Sequence, residues 1–353
     1  MKKFFYWFIG AFFTIWFLLM GIVAVIDPFF HYHAPLDGLY YSIGNQRYQN
    51  RGIAEHFDYD SIITGTSLTE NFMTSEFDSL FDANSVRLQF SGATFYETEQ
   101  LLEEAFKTHD NIKYVMRSLD VNHLVEDSDA LREDLGDYPY YLYNDSVFDD
   151  LPYLCNEDVM FGYCIPMIKD FLLGKEGGCQ SFDELTYSSL PAKWEYADEP
   201  VVLSGEAEVS FTDKDMSVLS ENVGQNIVKL ANEHPDTTFI YYIPPYNEFW
   251  WRGHVADNTF EYTCTTIEKT MEMMLECDNI KLYCYANRFD ITTNLDDYYV
   301  DGYHYIKDIN SEILKWIAND EDRVTVDNYK DYVKEMHDFY GSYKYYSMGY
   351  NER

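Results

Sequence analysis

DYDSIITGTSLTEN, from Asp58 to Asn71, is a short β-branched apolar run that stops at a glycine and two hydroxyl residues. Ser61, Ile62 and Ile63 predict a buried strand, and Gly65-Thr66-Ser67-Leu68 predicts the turn that leads from it into a polar, cappable helix start. In open α/β sheets the ligand lies beyond the carboxyl ends of the strands, so Ser67 stands where a nucleophile would. Gly65 leaves room beside it for a substrate. The same residues also suit ordinary turn and N-cap chemistry, and the far end of the chain decides between the two.

Outward from Asp58, short apolar runs alternate with amphipathic stretches, the pattern of a parallel α/β sheet. The strands are expected at Ser61–Thr64, Val86–Phe90, Tyr114–Leu119, Phe239–Ile243 and Ile280–Tyr285. Helices are expected at Glu97–Thr108, with Leu101, Leu102, Ala105 and Phe106 on one face, at Ser217–Glu233 and at Tyr262–Glu276. The fold class expected is therefore α/β, a doubly wound parallel sheet of five strands over residues 58–123 and 212–320. Between its third and fourth strands, residues 124–211 are too long for a loop and predict an inserted subdomain near the active-site rim. Residues 321–353 predict a last helix and a tyrosine-rich tail.

On the amino-terminal side, Phe4 to Ile26 is uncharged throughout, preceded by Lys2 and Lys3 and ended by Asp27-Pro28. At about 1.5 Å per residue the run spans a hydrocarbon core of roughly 30 Å, which predicts a transmembrane helix over Phe4–Ile26, with residues 1–27 as cytoplasmic tip and anchor. The lysines mark its cytoplasmic end, so the rest of the chain is expected outside the membrane. A cleaved signal peptide is the competing reading, but the run is long for one and no small-x-small site follows it. Residues 28–57 predict a stalk, in which His31-x-His33 is either half of a metal site or interfacial packing.

The 61 acidic residues outnumber the 25 basic ones and are spread along the chain, giving a formal charge of -36. Such a surface disfavours nucleic-acid phosphates and anionic lipid headgroups. Hydrophobic residues make up 46% of the chain, enough for a real core. The six cysteines show no C-x-x-C pair, so zinc is not suggested; they are either paired, as in an exported protein, or free buried thiols.

After the fifth strand comes DITTNLDDYYVDGYHYI, which contains Asp301-Gly302-Tyr303-His304. An aspartate three residues before a histidine can hold the imidazole Nδ1 proton while the other nitrogen faces a serine from another strand end. Ser67, His304 and Asp301 would then gather at one edge of the sheet as nucleophile, base and orienter. The loop after the fourth strand, IPPYNEFWWRGH, offers Tyr246, Trp250 and Trp251 as a sugar-stacking wall or as packing.

These blocks resemble the SGNH hydrolase superfamily of GDSL-type esterases. Gly65-Thr66-Ser67-Leu68 is similar to the first family block, with threonine in place of its aspartate. Ser91-Gly92-Ala93 supplies the glycine of the second, and Asp301 with His304 matches the last. The third block, Gly-x-Asn-Asp, is missing in that form, and Asn122 is its stand-in. The resemblance implies a flavodoxin-like three-layer α/β/α fold and an oxyanion hole made by the N–H groups of Ser67 and Gly92 with a donor from Asn122. It implies no metal or organic cofactor.

The layout, a membrane anchor followed by such a domain, is similar to bacterial proteins that acylate or deacylate envelope polymers beside a membrane acyltransferase. The function expected is an extracytoplasmic serine esterase or acyltransferase acting on O-acyl groups of an envelope or capsular polysaccharide. The alternative is a non-catalytic carbohydrate-binding or assembly protein that keeps the fold.

Overall fold

A computed structural model gives the fold and describes residues 2–132, 134, 138–179, 181–187, 207–299, 301 and 303–342. The tail expected at 343–353, and residues 188–206 of the expected insertion, lie outside the described residues. The chain divides into two compact units, Met1–Asp58 with Glu133–Leu185, and Tyr59–Arg132 with Thr186–Arg353.

The second unit is built on a sheet of β1 (Ser61–Thr64), β2 (Ser85–Arg87), β3 (Tyr114–Ser118), β4 (Thr238–Ile243), β5 (Ile280–Cys284) and β6 (Arg323–Val324). Their order is β2-β1-β3-β4-β5-β6. The first five are parallel and β6 runs antiparallel to β5. The sheet thus has six strands rather than the five expected: two residues are too few for any alternation to show in the sequence. Ile62, Ile63, Val115, Met116, Phe239, Ile240 and Leu282 are all buried, as strands covered on both faces require.

Helix Phe95–Thr108 links β2 to β3 and begins with a capping box in which Thr94 and Glu97 each accept the other's backbone N–H. Its Leu101, Leu102 and Ala105 are buried, while Phe106 is half-buried and stacks on His234 at 3.6 Å. Helices Phe260–Met274 and Lys307–Ala318 bury Ile267, Met271 and Met274, and Ile313, Leu314 and Ile317. Because β2 and β3 flank β1, the strand order reverses between β1 and β3, and that crevice is where open α/β sheets hold ligands.

In the first unit, helix Lys2–Ile26 is long and apolar enough to cross a membrane, an 18-residue stretch of it having a mean hydropathy of 2.5. Asp27 ends it. This buried carboxylate accepts the N–H groups of His31, Tyr32 and His33 at 3.0, 2.7 and 3.1 Å and the Tyr153 hydroxyl at 2.7 Å. A sharp chain reversal therefore has its backbone donors satisfied. His31 Nε2 meets Asp150 at 3.1 Å, whereas the His33 ring nitrogens meet the Ala34 and Val25 carbonyls, so the two do not form one ligand pair.

Residues 28–57, the expected stalk, pack in one unit with residues 133–185 of the insertion expected over 124–211. Helix Gln46–His56 buries Arg47, Gln49, Asn50 and Arg51 beside Ile53 and Ala54, so its buried face is mostly polar. Gln49 accepts the N–H groups of Gly44 and Asn45 and donates to the Pro28 and Ser42 carbonyls. Arg51 joins Glu55, Asp145 and the Leu142 carbonyl. All six cysteines are free thiols, four of them buried.

Candidate active site

Gly65 closes β1 with φ +131°, a conformation that disfavours a side chain. A Cβ there would fall 2.5 Å from Ser118 Oγ and 3.0 Å from Thr69 Cγ2, so β1 and β3 leave the sheet in direct contact. Gly65→Ala is expected to destabilise the protein by about 2–4 kcal/mol through strain and overpacking. An unchanged thermal midpoint would show that this approach is not tight.

Ser67–Thr69 form one turn of 3-10 helix capped by Thr66, whose hydroxyl accepts from Leu68 N–H while Thr69 Oγ1 donates to the Thr66 carbonyl at 2.7 Å. The Leu68 carbonyl is held from outside by Tyr305 Oη at 3.2 Å and Asn310 Nδ2 at 3.0 Å. Beneath the turn the buried Arg87 of β2 donates Nη1 to the carbonyls of Glu70 and Phe72. The serine is thereby fixed by three separate segments.

The histidine comes from a hairpin after β5. Tyr298 and Tyr305 form an antiparallel bridge, Tyr299 N–H donates to the His304 carbonyl and Ile306 N–H to the Asp297 carbonyl, both at 2.8 Å. The buried Tyr298 hydroxyl ties the hairpin to the Pro245 carbonyl at 2.6 Å. At its tip, His304 Nε2 lies 2.7 Å from Ser67 Oγ and Nδ1 lies 3.1 Å from Asp301 Oδ2. The other carboxylate oxygen, Oδ1, accepts the N–H groups of Tyr303 and His304, each at 2.9 Å.

Burial opposes ionisation of Asp301, but the His304 ring and the two backbone N–H groups outweigh it and hold the carboxyl well below its usual range. An ionised carboxylate can only accept, so Nδ1 carries a proton, and in a neutral imidazole this leaves Nε2 to accept from the serine hydroxyl.

Sequence reasoning missed Tyr187. Its ring lies parallel to the His304 imidazole at 4.0 Å, its hydroxyl donates to Asp301 Oδ2 at 3.0 Å, and its N–H donates to the buried Asn71 Oδ1 at 2.9 Å. Burial, followed by Asp301, pushes its hydroxyl up to about 12, so it remains a donor at neutral pH. A single tyrosine in a stretch without period gives no sequence signal. Asp120 was missed too. This buried carboxylate accepts the Tyr303 hydroxyl at 2.8 Å and the Tyr246 hydroxyl at 3.0 Å, joining the loop after β3 to the histidine hairpin.

Of the other expected site residues, Gly92 occupies the turn after β2 with φ +72°, and its carbonyl accepts from Arg132 Nη1 at 2.8 Å. Phe90 N–H donates to the Gly65 carbonyl at 3.1 Å, which brings this turn beside the serine loop. Asn122 is exposed, and its amide donates to the Tyr303 hydroxyl at 3.2 Å.

The expected stacking wall does not form as such. Tyr246 and Trp251 are fully buried, Tyr246 against Trp250 at 4.2 Å and Trp251 against Tyr340 at 4.5 Å. Adjacent tryptophans on helix Glu248–Ala256 point in directions about 100° apart, so they cannot share one face. Trp250 alone is half-exposed.

No protein-family model matches the chain, and no curated protein and no solved structure matches it.

Proposed function

We propose that the protein is a membrane-anchored serine esterase or O-acyltransferase of SGNH type. The observation that carries this reading is the hydrogen-bonded series Ser67 Oγ, His304 Nε2, His304 Nδ1, Asp301 Oδ2, at 2.7 and 3.1 Å, set beside the crevice where the strand order reverses. In the reaction, Ser67 Oγ attacks the acyl carbonyl as His304 Nε2 takes its proton. The tetrahedral oxyanion collapses, the ester oxygen leaves with that proton, and an acyl-serine remains. Water or a sugar hydroxyl then attacks, giving its proton to His304, and Ser67 recovers it as the acyl group departs. The N–H groups of Ser67 and Gly92 are the proposed oxyanion donors.

The substrate in this reading is an O-acylated envelope or capsular polysaccharide, with a membrane acyltransferase as partner. Lys2 and Lys3 before the apolar helix and the charge of -36 support an extracytoplasmic domain. The decisive experiment incubates the full-length chain with a chromogenic acetyl ester and a serine-directed phosphonate. Ester turnover and a phosphonate adduct on Ser67 are expected, and an unmodified Ser67 would end the esterase reading.

A second reading, a slow transferase or a carbohydrate-binding protein, is favoured by one observation: the Asn122 amide donates to the Tyr303 hydroxyl, which leaves one of its two N–H groups for an oxyanion. Each oxyanion donor contributes roughly 3 kcal/mol, so two donors would leave a slower but active site.

Tyr187→Phe keeps the ring on His304 and loses the bond to Asp301. A fall in kcat of roughly fivefold, about 1 kcal/mol, is expected with KM little changed. An unchanged kcat would mean that the Tyr187 hydroxyl does not position the carboxylate.

A further inference from the structure

Helical segment Val159–Leu173 runs as a π turn over Val159–Cys164 into helix Ile165–Leu173. One face, Val159, Met160, Cys164 and Met167, is buried in the first unit. The opposite face is apolar as well: Phe161 is 67% exposed and Leu172 74%, with Ile165 between them. A helix on a solvated surface places polar residues there, whereas one that is apolar all round is covered by something. Phe148, 88% exposed, extends the same character to the preceding segment. In a chain with 61 acidic residues, Val159 to Ile168 carries no charge at all.

The position of this surface says what covers it. Leu151–Leu154 and Val159–Cys164 both pack against helix Lys2–Ile26, whose buried residues, Val23 and Ile26, lie in its last turns. At about 1.5 Å per residue, an apolar run of this length reaches the headgroup level of a roughly 30 Å hydrocarbon layer near those last turns. Just beyond them Phe29 packs among Tyr48, Tyr153 and Tyr163 at 5.1–5.5 Å, the residue types that collect at membrane interfaces.

We propose that residues 147–173 lie in the headgroup–acyl boundary of the bilayer that the N-terminal helix crosses. Phe161, Ile165 and Leu172 face the lipid, and the exposed Lys169 and Lys175 reach toward phosphates. The partner is a phospholipid surface, and the first unit is held to it at two places rather than one. This inference rests on reading helix Lys2–Ile26 as a membrane span.

The test places single spin labels on the full-length chain in phospholipid nanodiscs, in a background where Cys155 and Cys179 are serine. Labels go at Leu172→Cys, at Phe161→Cys as a second reporter, at Phe12→Cys inside the span and at Lys330→Cys as an aqueous control. Relaxation by oxygen is expected to exceed that by a water-soluble nickel chelate several-fold at positions 172, 161 and 12, with the ratio inverted at 330. Chelate-dominated relaxation at 172 and 161, with lipid values at 12, would overturn the interfacial proposal and leave the span standing. Chelate-dominated relaxation at 12 would overturn the span and the proposal together. Exclusion of both reagents at 172 and 161 would show a protein partner on this face, and would also overturn it.

Discussion

Ser67→Ala is expected to lower the turnover of an acyl ester on the order of 10⁶-fold, with the fold intact. In the proposed mechanism the hydroxyl is the attacking atom, and it bonds to His304 Nε2 at 2.7 Å. The turn that carries it is held instead by Thr66, by the Leu68 carbonyl clamp of Tyr305 and Asn310, and by Arg87. The thermal midpoint should therefore move by less than a destabilising core substitution would move it. His304→Ala should cost a similar factor, and the double variant little more than either alone, because nucleophile and base act as a unit. Chromogenic-ester kinetics on the three variants check this. Native turnover in Ser67→Ala would sink the mechanism whatever the distances.

The parts of this site that the sequence showed are those whose geometry is local. Asp301 and His304 are three residues apart, close enough for one turn to bring carboxylate and ring together, and Gly65 to Leu68 directly follow a strand. β1, β3, β4 and β5 fall within a residue of their expected bounds because each has an apolar centre, despite Arg117 in β3 and Lys281 in β5. β2 is shorter than expected: the ladder continues through Leu88 N–H and Phe90 N–H, which donate to the Ile63 and Gly65 carbonyls, but the chain is already turning toward Gly92.

What stayed hidden depends on long-range or polar burial. Arg87 and Arg117 sit inside strands, yet both are buried, and Arg117 donates to the Asn226 and Phe95 carbonyls. Helix Gln46–His56 hides for the same reason, since hydrophobic periodicity cannot report a polar buried face. Tyr187 joins the site across more than a hundred residues, and Trp251 differs from Trp250 only in which way helix Glu248–Ala256 turns it.

Under the proposed mechanism Asp301→Asn should lower turnover on the order of 10⁴-fold, through the tautomer of the imidazole. The two backbone N–H groups of Tyr303 and His304 both donate to Oδ1, so in the variant the amide oxygen must stay at that position. The amide NH₂ then occupies the place of Oδ2, where it faces His304 Nδ1. A donor at that place makes Nδ1 the acceptor and puts the imidazole proton on Nε2, pointing at Ser67 Oγ. The ring is then in the tautomer that cannot take the serine proton, although every heavy atom remains in place.

In the native protein the sign of the Asp301 shift is the opposite of a liability at neutral pH. Its folded-state value is depressed, so its contribution to stability is fully present above the ordinary carboxylate value of about 3.9 and is lost only as pH falls through the lower, folded value. Any change of rate between about pH 5 and 9 therefore does not come from this carboxylate. Nitrogen-15 spectra of the imidazole provide a check independent of turnover: the ring proton should sit on Nδ1 in the native chain and on Nε2 in Asp301→Asn. A variant that kept the native tautomer while losing turnover would show that Asp301 works through charge rather than orientation, and one that kept both would remove Asp301 from the triad.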